Sequence, residues 1–180
     1  MINFETKANT LKSLEKVIKN AKVLPQFSFT TSQWKAAQNN INNIWFDRPD
    51  WSFEELIIRS SSLNEDGDMD SKAGKYLSVK NVIGDRNINE AINQVISSFG
   101  LEFDHDQVFI QPMLKDIKIS GVSFTKDPNN GSFYYITNYD DHSGKADTVT
   151  SGCGKNLKIF YHVKYANDPV IKWKKKLIDL

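Results

Sequence analysis

One stretch of this chain admits a single kind of local structure. Ile88, Ala91, Ile92, Val95, Ile96 and Phe99 recur at spacings of three and four, the period of one face of a helix. The spacing predicts a helix over about 87–99, with Gly100 as a natural C′ residue. On both sides lie short runs of strand character. Leu56-Ile57-Ile58 leads into Arg59, and Tyr76 to Val82 alternates. Val108-Phe109-Ile110 leads into Gln111-Pro112, and Ile117, Ile119, Val122 and Phe124 lie in a β-rich stretch. That stretch ends at Asp127-Pro128-Asn129-Asn130-Gly131, a strong turn signal, so Phe133 to Thr137 reads as the returning strand of a hairpin. Leu157 to Val163 reads as a further strand.

Two more amphipathic helices open the chain. The first spans about 7–21, with Leu11, Leu14, Val17, Ile18 and Ala21 on one face and a stop before Pro25. The second starts near Ser32 as N-cap and carries Trp34, Ala37, Ile41, Ile44 and Trp45. A last helix begins with Asp168 as N-cap and Pro169 at N1; it contains Trp173, with Lys172, Lys174, Lys175 and Lys176 on its wet face and Ile171, Leu177 and Ile178 inward. Helices first, then strands with one internal helix, is an α+β pattern rather than βαβ alternation. A mixed or antiparallel sheet with flanking helices is expected.

With 180 residues, the chain suits one domain or a part of a larger one. A chain of this size buries roughly 70% of its unfolded surface, so a core needs no staple. Twenty-three basic against 22 acidic residues leave no global field to draw nucleic acid. One cysteine excludes an internal disulfide framework and a multi-cysteine zinc site. No apolar run approaches the ~20 residues of a membrane span, and no apolar h-region marks a signal peptide. An intracellular, cytoplasmic protein without nucleic-acid or membrane partners is the expectation.

Several residues could carry chemistry, each with a plainer alternative. Arg59 stands at the end of an apolar strand and is followed by Ser60-Ser61-Ser62. A planar fork of donors beside three hydroxyls suits phosphate oxygens; the alternative is a surface arginine beside a serine-rich turn. Lys72-Ala73-Gly74-Lys75 could approach phosphates closely, although no GxxxxGK[ST] is present. The acidic run Asn64 to Asp70 superficially suggests an EF-hand beginning at Asp66, but Ser71 stands at the glycine position and Leu77 at the bidentate glutamate, which argues for a solvated loop. Gly121 inside a strand marks a close backbone approach or a bulge. His105, His142 and His162 lack metal-ligand spacing, and Cys153 has no base or orienting partner in sequence.

Taken together, the motifs resemble a family. Ile57-Ile58-Arg59-Ser60-Ser61-Ser62, Glu65-Asp66 and Ser71-Lys72-Ala73-Gly74 are similar to the VRSSA…ED…SFAG signature of the N-terminal ATP-grasp region of phosphoenolpyruvate synthase and pyruvate phosphate dikinase. Val108 to Leu114 resembles its VxVQxMV strand, and Ser120 to Pro128 its SGVxFTxDP hairpin. Thr6-Lys7-Ala8-Asn9-Thr10-Leu11 with Val23-Leu24-Pro25-Gln26-Phe27 is similar to its GGKAxNL…VPxGF opening. The resemblance covers nearly the whole chain and implies an ATP-grasp-type N-terminal portion. It implies that Lys7 and Arg59 contact ATP phosphates, that Gly74 covers the nucleotide, and that Gln111 with the following Pro112 and Met113 meets the adenine.

The departures are specific. Glu5-Thr6 replace the two glycines before the opening lysine, and the segment after Gly74 is shortened, without a place for the family's nucleotide-contacting threonine. Tyr139 to Gly144 replaces the GLGE segment. The Mg²⁺-binding glutamate, the Gln-x-Arg-Pro segment, the phosphohistidine domain and the pyruvate/phosphoenolpyruvate-binding barrel come later in the family. The resemblance therefore implies the ATP-binding piece of a larger phosphotransferase, inactive alone, whose Mg ligands and catalytic histidine lie outside these residues. A related reading from a different class is a non-catalytic module binding nucleotide or a protein partner.

Overall fold

The computed structural model describes residues 5–62, 77–100, 104–152, 154, 156–167 and 172–179. They form two compact units, one from residues 1–18 and 22–113 and one from 19–21 and 114–180.

The first unit contains helix α1 (Lys7–Glu15), strand β1 (Phe27–Thr30), helix α2 (Thr31–Ala36), strands β2 (Leu56–Ser61) and β3 (Ser78–Val82), helix α3 (Asp85–Ser97) and strand β4 (Gln107–Pro112). The strands form an antiparallel sheet in the order β1-β4-β2-β3. Residues alternate across a strand, so the register sorts them onto two faces. One face carries Phe27, Phe29, Leu56, Ile58, Val108 and Ile110 and forms the core with Ile88, Ala91, Ile92, Val95 and Ile96 of α3. That is the predicted helical stripe, all of it buried. The register slips by one residue between Leu56/Val82 and Ile58/Val79, where Asn81 adopts φ 57°. This bulge lets Val79 and Val82, three residues apart, both serve the core.

Two helices are shorter than the periodicity predicts. α1 ends at Glu15, and Val17 is exposed rather than inward. The N–H groups of Val17 and Ile18 both donate to the Leu14 carbonyl, a tightened last turn. The second predicted helix breaks after Ala36 because Gln38 and Asn39 both take φ 54°. Asn40 then accepts the Asn42 N–H and starts a separate 3₁₀ turn over Ile41–Asn43. Trp34, Ala37, Ile41 and Trp45 still reach the core, on two pieces instead of one. The N-cap is Thr30, not Ser32. Its hydroxyl accepts the Gln33 N–H, and the Gln33 side chain accepts the Thr30 N–H, a reciprocal capping box. α3 ends at Ser97 with Ser98 as C-cap, so Gly100, expected at C′, takes φ 78° one residue beyond it.

A second 3₁₀ turn spans Asp50–Phe53, and Arg48 joins it and the Trp45 segment to α3. Its guanidinium lies over Trp45 and Phe53 and pairs with Asp85 at 2.5 Å. The hydrogen bond from Arg48 holds the Asp85 carboxyl below the usual carboxylate range.

The second unit contains strands β5 (Ser120–Phe124), β6 (Tyr134–Asp140) and β7 (Lys158–Val163) in an antiparallel sheet of that order, and helix α4 (Lys172–Ile178). The expected start of α4 at Asp168 and Pro169 lies outside the described residues. The predicted hairpin forms between β5 and β6. Asp127 and Asn130 side chains accept the N–H groups of Asn129 and Ser132, and the Gly131 N–H donates to the Asp127 carbonyl. Trp173 packs on Tyr139 and Phe160. Lys174, expected on the wet face, instead places its amine 4.5 Å from the Phe160 ring centre, a cation–π contact.

Gly121 marks a close approach. A Cβ there would lie 2.5 Å from the Asn138 carbonyl oxygen and 3.0 Å from the Tyr139 Cβ. Gly121→Ala is expected to force β5 and β6 apart and cost about 1–3 kcal/mol, the usual range for overpacking. Urea unfolding checks this, and an unchanged midpoint would contradict it.

Asp140 closes β6. Its carboxylate accepts from the Ser143 hydroxyl and from the N–H groups of Ser143 and His142. The Ser143 hydroxyl first, then these amides, hold the carboxyl far below the usual carboxylate range. A depressed folded-state pKa contributes stability that is present above the unfolded pKa of about 3.9 and lost as pH falls through the folded value. Asp140→Asn is therefore expected to flatten the acid side of the stability profile. Urea midpoints between pH 5 and pH 2 test this; parallel profiles for the two proteins would refute it.

Candidate functional site

The second face of the four-stranded sheet carries the residues of interest. β2 places Ile57, Arg59 and Ser61 there, opposite Gln111, Phe109 and Gln107 of β4. The Arg59 guanidinium lies 5.6 Å from the ring centre of the fully buried Phe109. The ring holds the guanidinium through a cation–π contact. Gln111 is the diagonal neighbour of Arg59, with Cα atoms about 7–8 Å apart in such a pairing.

α1 docks its first turn on the same face. The Ala8 N–H donates to Ser61 Oγ at 2.8 Å, and the Thr6 hydroxyl donates to Gln107 Oε1 at 2.6 Å. Gln26 Nε2 donates to the Ala8 carbonyl at 2.7 Å. Lys7, the first residue of α1, is thereby carried to the strand that bears Arg59. Thr6 stands where glycine was expected and serves as the N-cap of α1, its hydroxyl accepting the Asn9 N–H.

Arg59 and Gln111 thus share one sheet face, and α1, which starts at Lys7, docks on that face through the Ala8–Ser61 bond. Gln111 is buried, and its Nε2 donates to the Leu24 carbonyl at 3.4 Å. The side chain therefore tethers the segment before β1. Pro112 pairs with Leu56 on the core side, and the Met113 N–H donates to the Glu55 carbonyl at 2.8 Å. The boundary between the two units follows directly after Met113. Gly74, with the acidic run, the Lys72–Lys75 segment and Cys153, lies outside the described residues. His162 stacks on Tyr135 and Phe160 within the second unit, and the His142 N–H belongs to the Asp140 turn.

Sequence reasoning missed the bonds that hold the start of α1: Ser61 and Gln26 on the Ala8 main chain, and Thr6 on Gln107. Ser61 belonged to a noted serine run, but its acceptor role depends on a contact with Ala8 that only the fold creates. Among the described residues, no group of three or more His, Cys, Asp or Glu side chains is placed to hold a metal ion. Nor is any described helix long and apolar enough to cross a membrane.

An arginine over an aromatic ring and a buried amide on one sheet face, with a lysine at the start of the docked helix, are groups suited to a polyphosphate and a flat ring. No curated protein matches the chain. The family model of the pyruvate phosphate dikinase AMP/ATP-binding domain matches residues 4–142, a span holding all four strands of the first sheet and the β5–β6 hairpin. With its α+β architecture of ATP-grasp type, the chain belongs to the family of that AMP/ATP-binding domain.

Proposed function

We propose that this chain is the ATP-binding part of a phosphoenolpyruvate synthase-like phosphotransferase. In this reading Lys7 and Arg59 neutralise the phosphates, Gly74 covers the nucleotide, and Gln111, Pro112 and Met113 border the adenine. Residues 1–180 work as one piece of a larger cytoplasmic enzyme. ATP phosphorylates a histidine on a separate domain, and the phosphoryl group passes on to pyruvate or a related acceptor on a pyruvate/phosphoenolpyruvate-binding domain. The 180 residues have no turnover of their own. In this reading Mg²⁺ is held between the ATP phosphates and carboxylates outside these residues. The observation that supports the reading is that Arg59 and Gln111 share one sheet face, on which the helix that starts at Lys7 docks, within the span of the family match.

Calorimetric titration of the chain with ATP, with and without Mg²⁺, tests it. Saturable binding, weakened in Lys7→Ala, is the expected result. The absence of heat up to millimolar ATP would overturn it. The Thr6 cap in place of glycine favours a second reading, a nucleotide-binding module without transfer chemistry. Transfer of labelled γ-phosphate to the histidine domain of a family enzyme separates the two.

A further inference from the structure

The N-terminus of a helix offers unpaired N–H groups and is a common cradle for phosphate. In α1 that cradle is already occupied by the protein itself. The Ala8 N–H donates to Ser61 Oγ, the Asn9 N–H to Thr6 Oγ1 and the Thr10 N–H to the Thr6 carbonyl. The Ala8–Ser61 bond is buried, so it does not exchange readily for water or ligand. A polyphosphate near this helix would therefore find the Ala8, Asn9 and Thr10 amides engaged, which leaves the larger share of its binding to side-chain cations.

The same bond fixes where those cations stand. Ser61 and Arg59 are two residues apart on β2, so their side chains share a face, roughly 7 Å apart along the strand. The Ser61 hydroxyl holds the amide of the residue next to Lys7. Thr6 on Gln107 and Gln26 on the Ala8 carbonyl brace the same turn from two other segments. We propose that Ser61 is a positioning residue for nucleotide binding: by accepting the Ala8 N–H it locks the Lys7-bearing turn of α1 against the Arg59-bearing strand, so that phosphate is recognised by a fixed pair of side-chain cations. This rests on the ATP-binding reading above and adds to it how the phosphate site is held.

A residue that acts through Lys7 leaves a signature that general destabilisation does not. ATP titrations of the wild-type chain, Ser61→Ala, Lys7→Ala and the double variant form a cycle. Ser61→Ala is expected to weaken ATP binding about ten-fold, the scale of one misplaced charge-assisted hydrogen bond. The double variant is expected to bind no more weakly than Lys7→Ala alone. Hydrogen exchange at the Ala8 amide, slow in the wild type, is expected to accelerate in Ser61→Ala. Should Ser61→Ala fail to fold, Ser61→Cys, close in volume and a poor acceptor, serves the same measurements. Wild-type affinity in a folded Ser61 variant, or losses that simply add to that of Lys7→Ala, would overturn the positioning role alone. No ATP binding by the wild type would overturn the nucleotide reading and this role with it, while Ala8 exchange would still report whether the latch exists.

Discussion

Trp34→Ala is expected to remove about 3–5 kcal/mol from the first unit, the range for deleting a buried tryptophan. The side chain is almost fully buried, stacks on Phe29 at 5.5 Å and donates from Nε1 to Asn93 Oδ1 at 2.9 Å. It therefore joins α2 to β1 and to α3 at once. Neighbours on two other elements cannot both collapse into the space it leaves, so a cavity cost adds to the lost transfer energy. Trp34→Phe keeps an aromatic ring against Phe29 and loses the hydrogen bond, worth about 1 kcal/mol net. Guanidinium unfolding followed by tryptophan fluorescence and circular dichroism measures both. Equal losses for the two variants would show that the bond to Asn93, rather than packing, carries the effect. A loss under about 1 kcal/mol for Trp34→Ala would contradict the packing account.

The second large effect concerns Arg59. If its fork holds phosphate oxygens, Arg59→Ala removes charge-assisted hydrogen bonds worth about 1.5–3 kcal/mol each, so ATP affinity is expected to fall by about ten- to 150-fold per bond lost. Arg59→Lys is the more telling variant. It keeps the charge but not the planar fork that lies over Phe109, and an ammonium carries a stronger hydration shell. Binding by Arg59→Lys is expected to stay closer to that of Arg59→Ala than to wild type. Full recovery by lysine would mean that Arg59 acts as a point charge. Unchanged affinity in Arg59→Ala would remove it from the site.

Much of this molecule can be read from local pattern. The stripe from Ile88 to Phe99 can be buried on one side only as a helix, and it is α3. The Asp127 to Gly131 turn satisfies its own backbone through Asp127 and Asn130, so the β5–β6 hairpin was legible as well. The apolar runs around Ile58 and Ile110, the glycine at position 121 and the family motifs are equally visible as short patterns. These features share a cause: each leaves its mark within a few consecutive residues, even where its partner lies further along the chain.

Tertiary structure decided the rest. Nothing local announces that Gln38 and Asn39 turn left-handed and break the second helix, because the apolar stripe from Trp34 to Trp45 continues across the break and is buried either way. Lys174 left the wet face because Phe160, fourteen residues earlier, offers its ring. The candidate site follows the same rule. Motifs named Lys7, Arg59 and Gln111 one by one, but Arg59 and Gln111 share a face through the β2–β4 register, and the helix start at Lys7 reaches that face only through how α1 docks. A slip of one residue in that register would send Arg59 to the core face. That register is held by the burial of Leu56, Ile58, Val108 and Ile110 on the opposite face, so the apolar core, distant in sequence from Lys7, determines that these groups share a surface.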